Sequence, residues 1–258
     1  TLLQSSEYFE VLSSKGDEHG ITCSGLKANL SKMMERKEGV LNTLGQGIDG
    51  LFKKNKVKRF EGNAKLIDSN TISIEGKDKT TIKADKIILA MGSEPIELPF
   101  LPFDEKVVLS STGALSLDKI PKEMTVIGAG VIGLELATVY RRLGTKIRVI
   151  ELLDHICPAL DKGVGKVLQQ SLKKQGLEFH LGTEVQKAKI DKKHVELTIE
   201  KDGKESVIKS DTVLVGIGRR PRSEKCGLEE IGVNLDSRGF VLVNDGFQTS
   251  IDNIYAVG

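Results

Sequence analysis

The run Met124 to Glu151, MTVIGAGVIGLELATVYRRLGTKIRVIE, carries the decisive pattern of the chain. Met124 to Ile127 is short, apolar and partly β-branched, which predicts a buried parallel strand. Gly128-Ala129-Gly130-Val131-Ile132-Gly133 follows at once and fits G-x-G-x-x-G. Leu134, Ala137, Val139 and Leu143 then recur at helical spacing, Arg141 and Arg142 suit a last turn, and Gly144 is a stop signal. Lys146 to Ile150 predicts a second strand, with Glu151 at its end.

Each piece has a physical task in a dinucleotide site. Gly128 permits the tight turn, Gly130 lets backbone approach a pyrophosphate, and Gly133 lets helix pack on strand. The helix start offers free N–H groups and partial positive charge to phosphates. Glu151 lies 18 residues beyond Gly133, near the roughly 20 expected for an acid that accepts from an adenosine ribose. A glycine motif alone is weak evidence, because a tight turn that binds nothing is common. Strand, glycines, helix, second strand and acid in register make the dinucleotide reading the stronger. The expected nucleotide is NAD, because Glu151 repels a 2′-phosphate and no arginine follows it in Leu152 to His155.

The 258 residues suffice for one or two domains with cores of their own, and the net charge is +2. Nothing in that balance points to nucleic acid or a membrane surface, and no apolar run reaches about 18 residues. Cys23, Cys157 and Cys226 lie far apart and form neither CxxC nor a zinc pattern, so a reducing compartment and no metal are expected. His19, His155, His180 and His194 stand in no triad or metal spacing. A start at Thr1 and an end on the strand-like Ile254 to Gly258 give the expectation of an internal fragment of a longer protein.

Before the decisive run, Thr1 to Leu12 predicts a helix and Ser13 to Gly20 a loop. Leu26 to Asn55 predicts a long amphipathic helix with Leu26, Leu30, Met33, Leu41, Leu44, Ile48, Leu51 and Phe52 on its packed face. Short strands are expected at Val57 to Phe60, Ala64 to Ile67, Thr71 to Ile74 and Thr80 to Lys83, as an antiparallel meander. Lys86 to Ala90 reads as a more apolar strand ending in Met91-Gly92-Ser93, where glycine serves either a close approach or a plain turn. Pro95, Pro99, Pro102 and Pro121 mark a boundary or linker, enclosing a short helix over Ser110 to Leu117 capped by Ser111 or Thr112.

After Glu151, a helix is expected from Asp161 to Gln175 with Val164, Val167, Leu168 and Leu172 buried. Strands follow near Leu177 to Leu181, Glu184 to Ile190, Val195 to Ile199, Ser206 to Lys209 and Thr212 to Val215, with a hairpin turn at Asp202-Gly203. The alternation predicts an α/β fold, a Rossmann-like doubly wound parallel sheet. Ligands there sit beyond the carboxyl ends of strands, which puts Glu151 and Gly218 on the rim.

VIGAGVIGLE (126–135), ILAMGSEP (88–95), GIGRRP (216–221) and NIYAVG (253–258), in that order, resemble the flavin-dependent pyridine nucleotide–disulfide oxidoreductases, and within them the dihydrolipoyl branch. The resemblance covers essentially the whole chain. It implies FAD beside NAD, with the NAD-binding domain (119–240) inserted in an incomplete FAD-binding domain (1–118 and 241–258). It implies that Ala64, Met91, Gly92 and Ser93 contact FAD, although Met91 stands where threonine is usual. It implies that Gly128, Ala129, Gly130, Val131, Ile132, Gly133, Leu134, Glu135 and Glu151 hold NAD, that Val185 lines the adenine pocket, and that Gly218 lies near the nicotinamide. Glu135 resembles a glutamate close to flavin and nicotinamide; an ordinary exposed helix charge is the plain alternative. Val131, where glutathione reductases carry tyrosine, favours the dihydrolipoyl branch.

The activity implied is oxidation of protein-bound dihydrolipoamide through a redox disulfide and FAD, with NAD+ as acceptor. The implied partners are the dihydrolipoyl domains of 2-oxo acid dehydrogenase complexes or the glycine cleavage system, with a homodimer as the assembly. The implied compartment is a bacterial cytoplasm or a mitochondrial matrix. The Cys-x4-Cys pair, the strand-borne G-x-G-x-x-G that grips the FAD pyrophosphate and the His-Glu base of that family are not in these 258 residues, so the chain alone is expected to be inactive. Rivals are a mercuric reductase or soluble transhydrogenase, a non-catalytic NAD-binding module, and a flavoprotein monooxygenase, which lacks a GIGRRP-like context. Glu151 leads to a direct expectation: NAD binds the purified chain at least tenfold more tightly than NADP in calorimetric titration, and the reverse order contradicts the reading of the acid.

Overall fold

The structure is a computed structural model and describes residues 1–191 and 194–258. In chain order, helices α1 (Leu2–Ser14) and α2 (Leu30–Lys54) precede strands β1 (Asn63–Leu66), β2 (Thr71–Glu75), β3 (Thr80–Lys83), β4 (Ile87–Leu89), β5 (Ser93–Pro95) and β6 (Val108–Leu109). Helix α3 (Ser111–Ala114), strand β7 (Glu123–Ile127), helix α4 (Val131–Arg142), strand β8 (Lys146–Glu151) and helix α5 (Lys162–Lys174) follow. The remaining strands are β9 (Glu178–Leu181), β10 (Glu184–Ile190), β11 (Val195–Lys201), β12 (Lys204–Ser210), β13 (Thr212–Val215), β14 (Arg219–Pro221) and β15 (Ile254–Ala256). The chain forms two compact units, Thr1–Leu44 with Pro95–Gly218, and Gly45–Glu94 with Arg219–Gly258.

The first unit is built on a five-stranded sheet in the order β6-β13-β7-β8-β9, parallel at every pairing. Successive side chains of a strand point to opposite faces, and here both faces are buried. Met124, Val126, Ile147, Val149 and Leu214 join a core with α4, α1 and Leu172 of α5. Ile127, Ile150, Val213 and Val215 join a second core with Val195, Leu197, Ile199 and Ile208 of the antiparallel sheet β10-β11-β12. Double burial explains why β7, β8 and β13 read as nearly continuous apolar runs. Each fully buried Val, Leu or Ile contributes about 1.5–3 kcal/mol. The hairpin between β11 and β12 turns on Asp202 and Gly203, both at positive φ (51° and 73°), as the two central residues of a tight twisted hairpin require.

The second unit holds the antiparallel meander β1-β2-β3 and a parallel pair in which Ile254, Tyr255 and Ala256 face Ile87, Ile88 and Leu89. Its core is Leu66, Ile87, Leu89, Leu228, Val233 and Ile254. Gly227, at φ +80°, passes so close to β1 that a Cβ would lie 2.1 Å from the Leu66 carbonyl oxygen.

Several expectations are corrected. Val57 to Phe60 forms no strand; extended residues need a neighbour to pair with, and Arg59 is held instead by Asp49 at 2.9 Å. Helix α2 begins at Leu30, because the Asn29 side chain accepts from the Lys32 amide at 3.0 Å and closes the helix start there. Leu30 is its one buried residue, while Leu41, Leu44, Ile48 and Leu51 are exposed. Helix α3 is capped by Ser110, one residue before the expected positions. Within the proline-rich stretch, Val108 and Leu109 add a strand to the parallel sheet. Helix α5 turns Val164 and Val167 to solvent and buries Gly165 and Leu172, because Gly165 seats against the Ile156 carbonyl.

The packing of α4 on β7 depends on Gly133. A Cβ there would lie 2.8 Å from the Gly128 carbonyl oxygen and 3.2 Å from Val126 Cγ1. Gly133→Ala is expected to lower stability by about 1–3 kcal/mol, read from the urea midpoint; a wild-type midpoint contradicts it.

Candidate dinucleotide-binding site

The turn between β7 and α4 is fixed by contacts that tolerate no side chain. Gly128 sits at φ +97°, and its amide donates to the Ile150 carbonyl at 2.8 Å. A Cβ on it would lie 2.5 Å from the Gly216 carbonyl oxygen, at the end of β13. Gly128 and Gly133 are therefore demanded by the fold itself. Gly130 is different: a Cβ there would find only the Gly216 oxygen, at an ordinary 3.9 Å. The fold leaves room for a methyl group at Gly130, so internal packing does not demand its glycine.

Helix α4 starts without a side-chain cap. Gly130 is its N-cap residue and accepts from the Leu134 amide at 3.0 Å, which leaves the amides of Val131, Ile132 and Gly133 ahead of the helical ladder. Helix α1 also starts without a side-chain cap, but two helix starts of this unit contrast with α4. The Asp161 carboxylate accepts from Gly163 and Val164 at the head of α5, and Ser110 accepts from Thr112 at the head of α3. An uncapped start with no acid in its first turn suits an anionic ligand. Val131, Ile132 and Glu135 form its exposed side, and Leu134 is buried beneath.

Glu151 ends β8 and turns back over the glycine turn. Its Oε2 accepts from the Ala129 amide at 2.7 Å and its Oε1 from the Leu153 amide at 3.0 Å. Two backbone donors fix the carboxylate, and each oxygen keeps a lone pair for a further donor such as a ribose hydroxyl. The Glu151 carbonyl accepts from Thr183, and the Leu153 carbonyl from Gly182, both at 2.9 Å. These bonds bring the start of β10 to the end of β8 and set half-buried Val185 two residues from Thr183. A bulge between Val185 and Lys187 interrupts the β10–β11 register there. Gly218 lies beyond β13 at φ +133° and accepts from the Ile96 amide at 3.1 Å.

The remaining candidates lie in the second unit. Ala64 is exposed on β1, opposite Ile74. Met91 packs against the core of that unit. Gly92 sits at φ +70° with open space around its Cα and accepts from the Arg222 amide at 3.1 Å. Ser93 is held by Arg219, which donates to its hydroxyl at 2.8 Å and to its carbonyl at 2.6 Å. ILAMGSEP and GIGRRP are thus brought together by side-chain bonds. An exposed alanine and an open glycine fit the edge of a flavin nucleotide; the one G-x-G-x-x-G of this unit, Gly45 to Gly50, lies inside helix α2 and forms no turn to grip a pyrophosphate.

Two residues escaped the sequence reading. Gly216, whose carbonyl roofs Gly128, could have been suspected from Gly-Ile-Gly directly after a buried strand. Cys157 lies against the back of the glycine turn, buried and at φ +48°. Its amide donates to the Ala129 carbonyl at 3.0 Å and its thiol to the same oxygen at 3.6 Å. Burial, with a smaller contribution from Glu151, pushes the thiol pKa up.

Residues 4–258 match the family described as pyridine nucleotide-disulphide oxidoreductase. The chain is 44% identical over 264 residues to a mitochondrial dihydrolipoyl dehydrogenase of Sus scrofa, a match covering 100% of this chain and 52% of that protein. It is 43% identical over 262 residues to the mitochondrial dihydrolipoyl dehydrogenase of Caenorhabditis elegans, covering 100% and 53%. The chain therefore spans about half the length of the curated relatives it matches. The HOCl-induced flavoprotein disulfide reductase RclA from Escherichia coli superposes with TM-score 0.83 at 22% identity, over 100% of this chain and 54% of that one; that likeness concerns the fold.

The contrast between Gly130 and its neighbours yields a clean expectation. In Gly130→Ala the weaker helix cap and the stiffer unfolded chain offset, leaving stability within about 1 kcal/mol of wild type, while NAD affinity falls at least tenfold. Unchanged NAD affinity in a calorimetric titration contradicts the assignment of Gly130 to the ligand.

Proposed function

Because the chain belongs to the pyridine nucleotide-disulphide oxidoreductase family, we propose that it provides the NAD-binding part of a dihydrolipoyl dehydrogenase, together with part of the FAD cradle. The observation that carries the reading is the open approach over Gly130 to the uncapped start of α4, beside a carboxylate already fixed by two backbone amides. Identity above 40% to named dihydrolipoyl dehydrogenases over the whole chain supports the branch.

In this reading Gly128 to Leu134 hold the pyrophosphate of NAD, with the amides at the head of α4 as donors. Glu151 accepts from the adenosine ribose, and Val185 lines the adenine end. Glu135 and Gly218 lie toward the nicotinamide. Ala64, Met91, Gly92 and Ser93 face FAD, which when bound supplies the hydride chemistry; residues 119–240 form the NAD domain, and 1–118 with 241–258 belong to the FAD domain. The partners are lipoyl-bearing domains of 2-oxo acid dehydrogenase complexes or the glycine cleavage system, and the assembly is a homodimer. The relatives named above are mitochondrial by name, which favours a mitochondrial matrix over a bacterial cytoplasm. Among the described residues no helix is long and apolar enough to cross a membrane.

Thiol–disulfide exchange needs a thiolate that attacks and a second sulfur that leaves. Cys23, Cys157 and Cys226 are exposed, buried and half-buried free thiols without a Cys-x4-Cys spacing. This favours a second reading for the chain taken alone, as a nucleotide-binding unit without turnover. The test is to measure NADH binding and dihydrolipoamide-dependent NADH formation on the same preparation. Binding without turnover is expected; turnover contradicts the division of labour, and absence of binding contradicts the dinucleotide reading.

A further inference from the structure

The back of the glycine turn is held as firmly as its front is open. Ala129 is fully buried, and its peptide groups are bonded on both sides. Its N–H donates to Glu151 Oε2 at 2.7 Å, and its carbonyl accepts from the Cys157 amide at 3.0 Å and the Cys157 thiol at 3.6 Å. The other oxygen of Glu151 accepts from Leu153, in the segment that leads to Cys157. The bonds therefore close a circuit from Ala129 through Glu151, Leu153 and Cys157 back to Ala129.

The segment carrying Cys157 is pinned at both ends. Gly182 donates to the Leu153 carbonyl at 2.9 Å, and Leu160 donates to the Cys157 carbonyl at 2.8 Å. Next to it, Asp161 caps α5, and a Cβ on Gly165 would lie 3.2 Å from the Ile156 carbonyl oxygen. Cys157 itself holds a left-handed backbone at φ +48°, a conformation that is strained for a residue with a side chain and persists where surrounding structure enforces it. The dinucleotide chemistry assigned above uses neither this strain nor the buried thiol.

We propose that Cys157 is a positioning residue of the dinucleotide site, which sets the height of the Ala129 peptide and so the aim of the amides that receive the pyrophosphate. The proposal rests on the reading of Gly128 to Gly133 as a dinucleotide turn. It has two consequences. Bulk added at Cys157 lifts the turn and weakens ligands that carry the pyrophosphate more than adenosine, whose ribose acid keeps its separate bond to Leu153. A bound dinucleotide, in turn, holds the circuit closed and shields the thiol.

Both are read on the whole chain without turnover. Wild type, Cys157→Ser and Cys157→Val are titrated calorimetrically with NAD, ADP and adenosine. Separately, wild type is treated with N-ethylmaleimide with and without saturating NAD, and modification of each cysteine is followed by mass spectrometry. Cys157→Val is expected to lose at least threefold in affinity for NAD and ADP with adenosine less affected, and Cys157→Ser to lose less than Cys157→Val. NAD is expected to slow Cys157 modification at least threefold and to leave exposed Cys23 unchanged. A smaller loss, an equal loss for adenosine, or a Cys157 rate indifferent to NAD overturns the proposal. The modification arm keeps it decidable if Cys157→Val does not fold. If wild type binds neither NAD nor ADP, the dinucleotide reading fails, and this proposal with it.

Discussion

The first unit depends on one close approach of three backbone segments. Gly128, Gly133 and Gly216 meet where β7, α4 and β13 converge. A Cβ on Gly128 would lie 2.5 Å from the Gly216 carbonyl oxygen, and one on Gly133 would lie 2.8 Å from the Gly128 carbonyl oxygen. Backbone cannot yield as a flexible side chain can, so these glycines set how low the helix lies on the sheet. From that follow the burial of Leu134, Ala137 and Tyr140, and the aim of the uncapped helix start beyond the carboxyl ends of β7 and β8.

The same geometry separates what the fold needs from what a ligand needs. Gly130 stands between two sterically obligatory glycines, yet has room for a side chain. Asp161 and Ser110 quench their helix starts, whereas α4 has neither a cap nor an acid in its first turn. Glu151, the acceptor in the proposed site, is held without a ligand, because two amides fix its oxygens. Preorganisation of this kind lowers the ordering cost of binding. On the hidden side of the turn, Cys157 bonds to the Ala129 carbonyl, so the turn is held from two sides by the end of β8 and the segment that follows it.

Much of this was legible in the residues. Short, largely apolar and β-branched runs marked β7, β8 and β13, and the position of Glu151 after the last glycine of the motif put it at the end of β8. The failures have a common cause: periodicity says which residues share a face, and neighbours decide whether that face is covered. Leu41, Leu44, Ile48 and Leu51 are helical and apolar yet exposed. Val57 to Phe60 alternates like a strand but joins no sheet. Val164 and Val167 lose the buried face of α5 to Gly165, which packs so close that a Cβ would lie 3.2 Å from the Ile156 carbonyl oxygen. Cys157 carries no local signal, since its backbone twist and its bond to Ala129, 28 residues away, exist only once the sheet has formed.

The central claim is that the amides at the head of α4, with Glu151, receive a dinucleotide. Amide-resolved NMR of the chain titrated with NAD tests it most directly. The account predicts that the largest saturable shifts fall on Gly130, Val131, Ile132 and Gly133, with Ala129 and Leu153 moving through their bonds to Glu151. Saturable shifts centred elsewhere, or none at these amides at millimolar NAD, would contradict it.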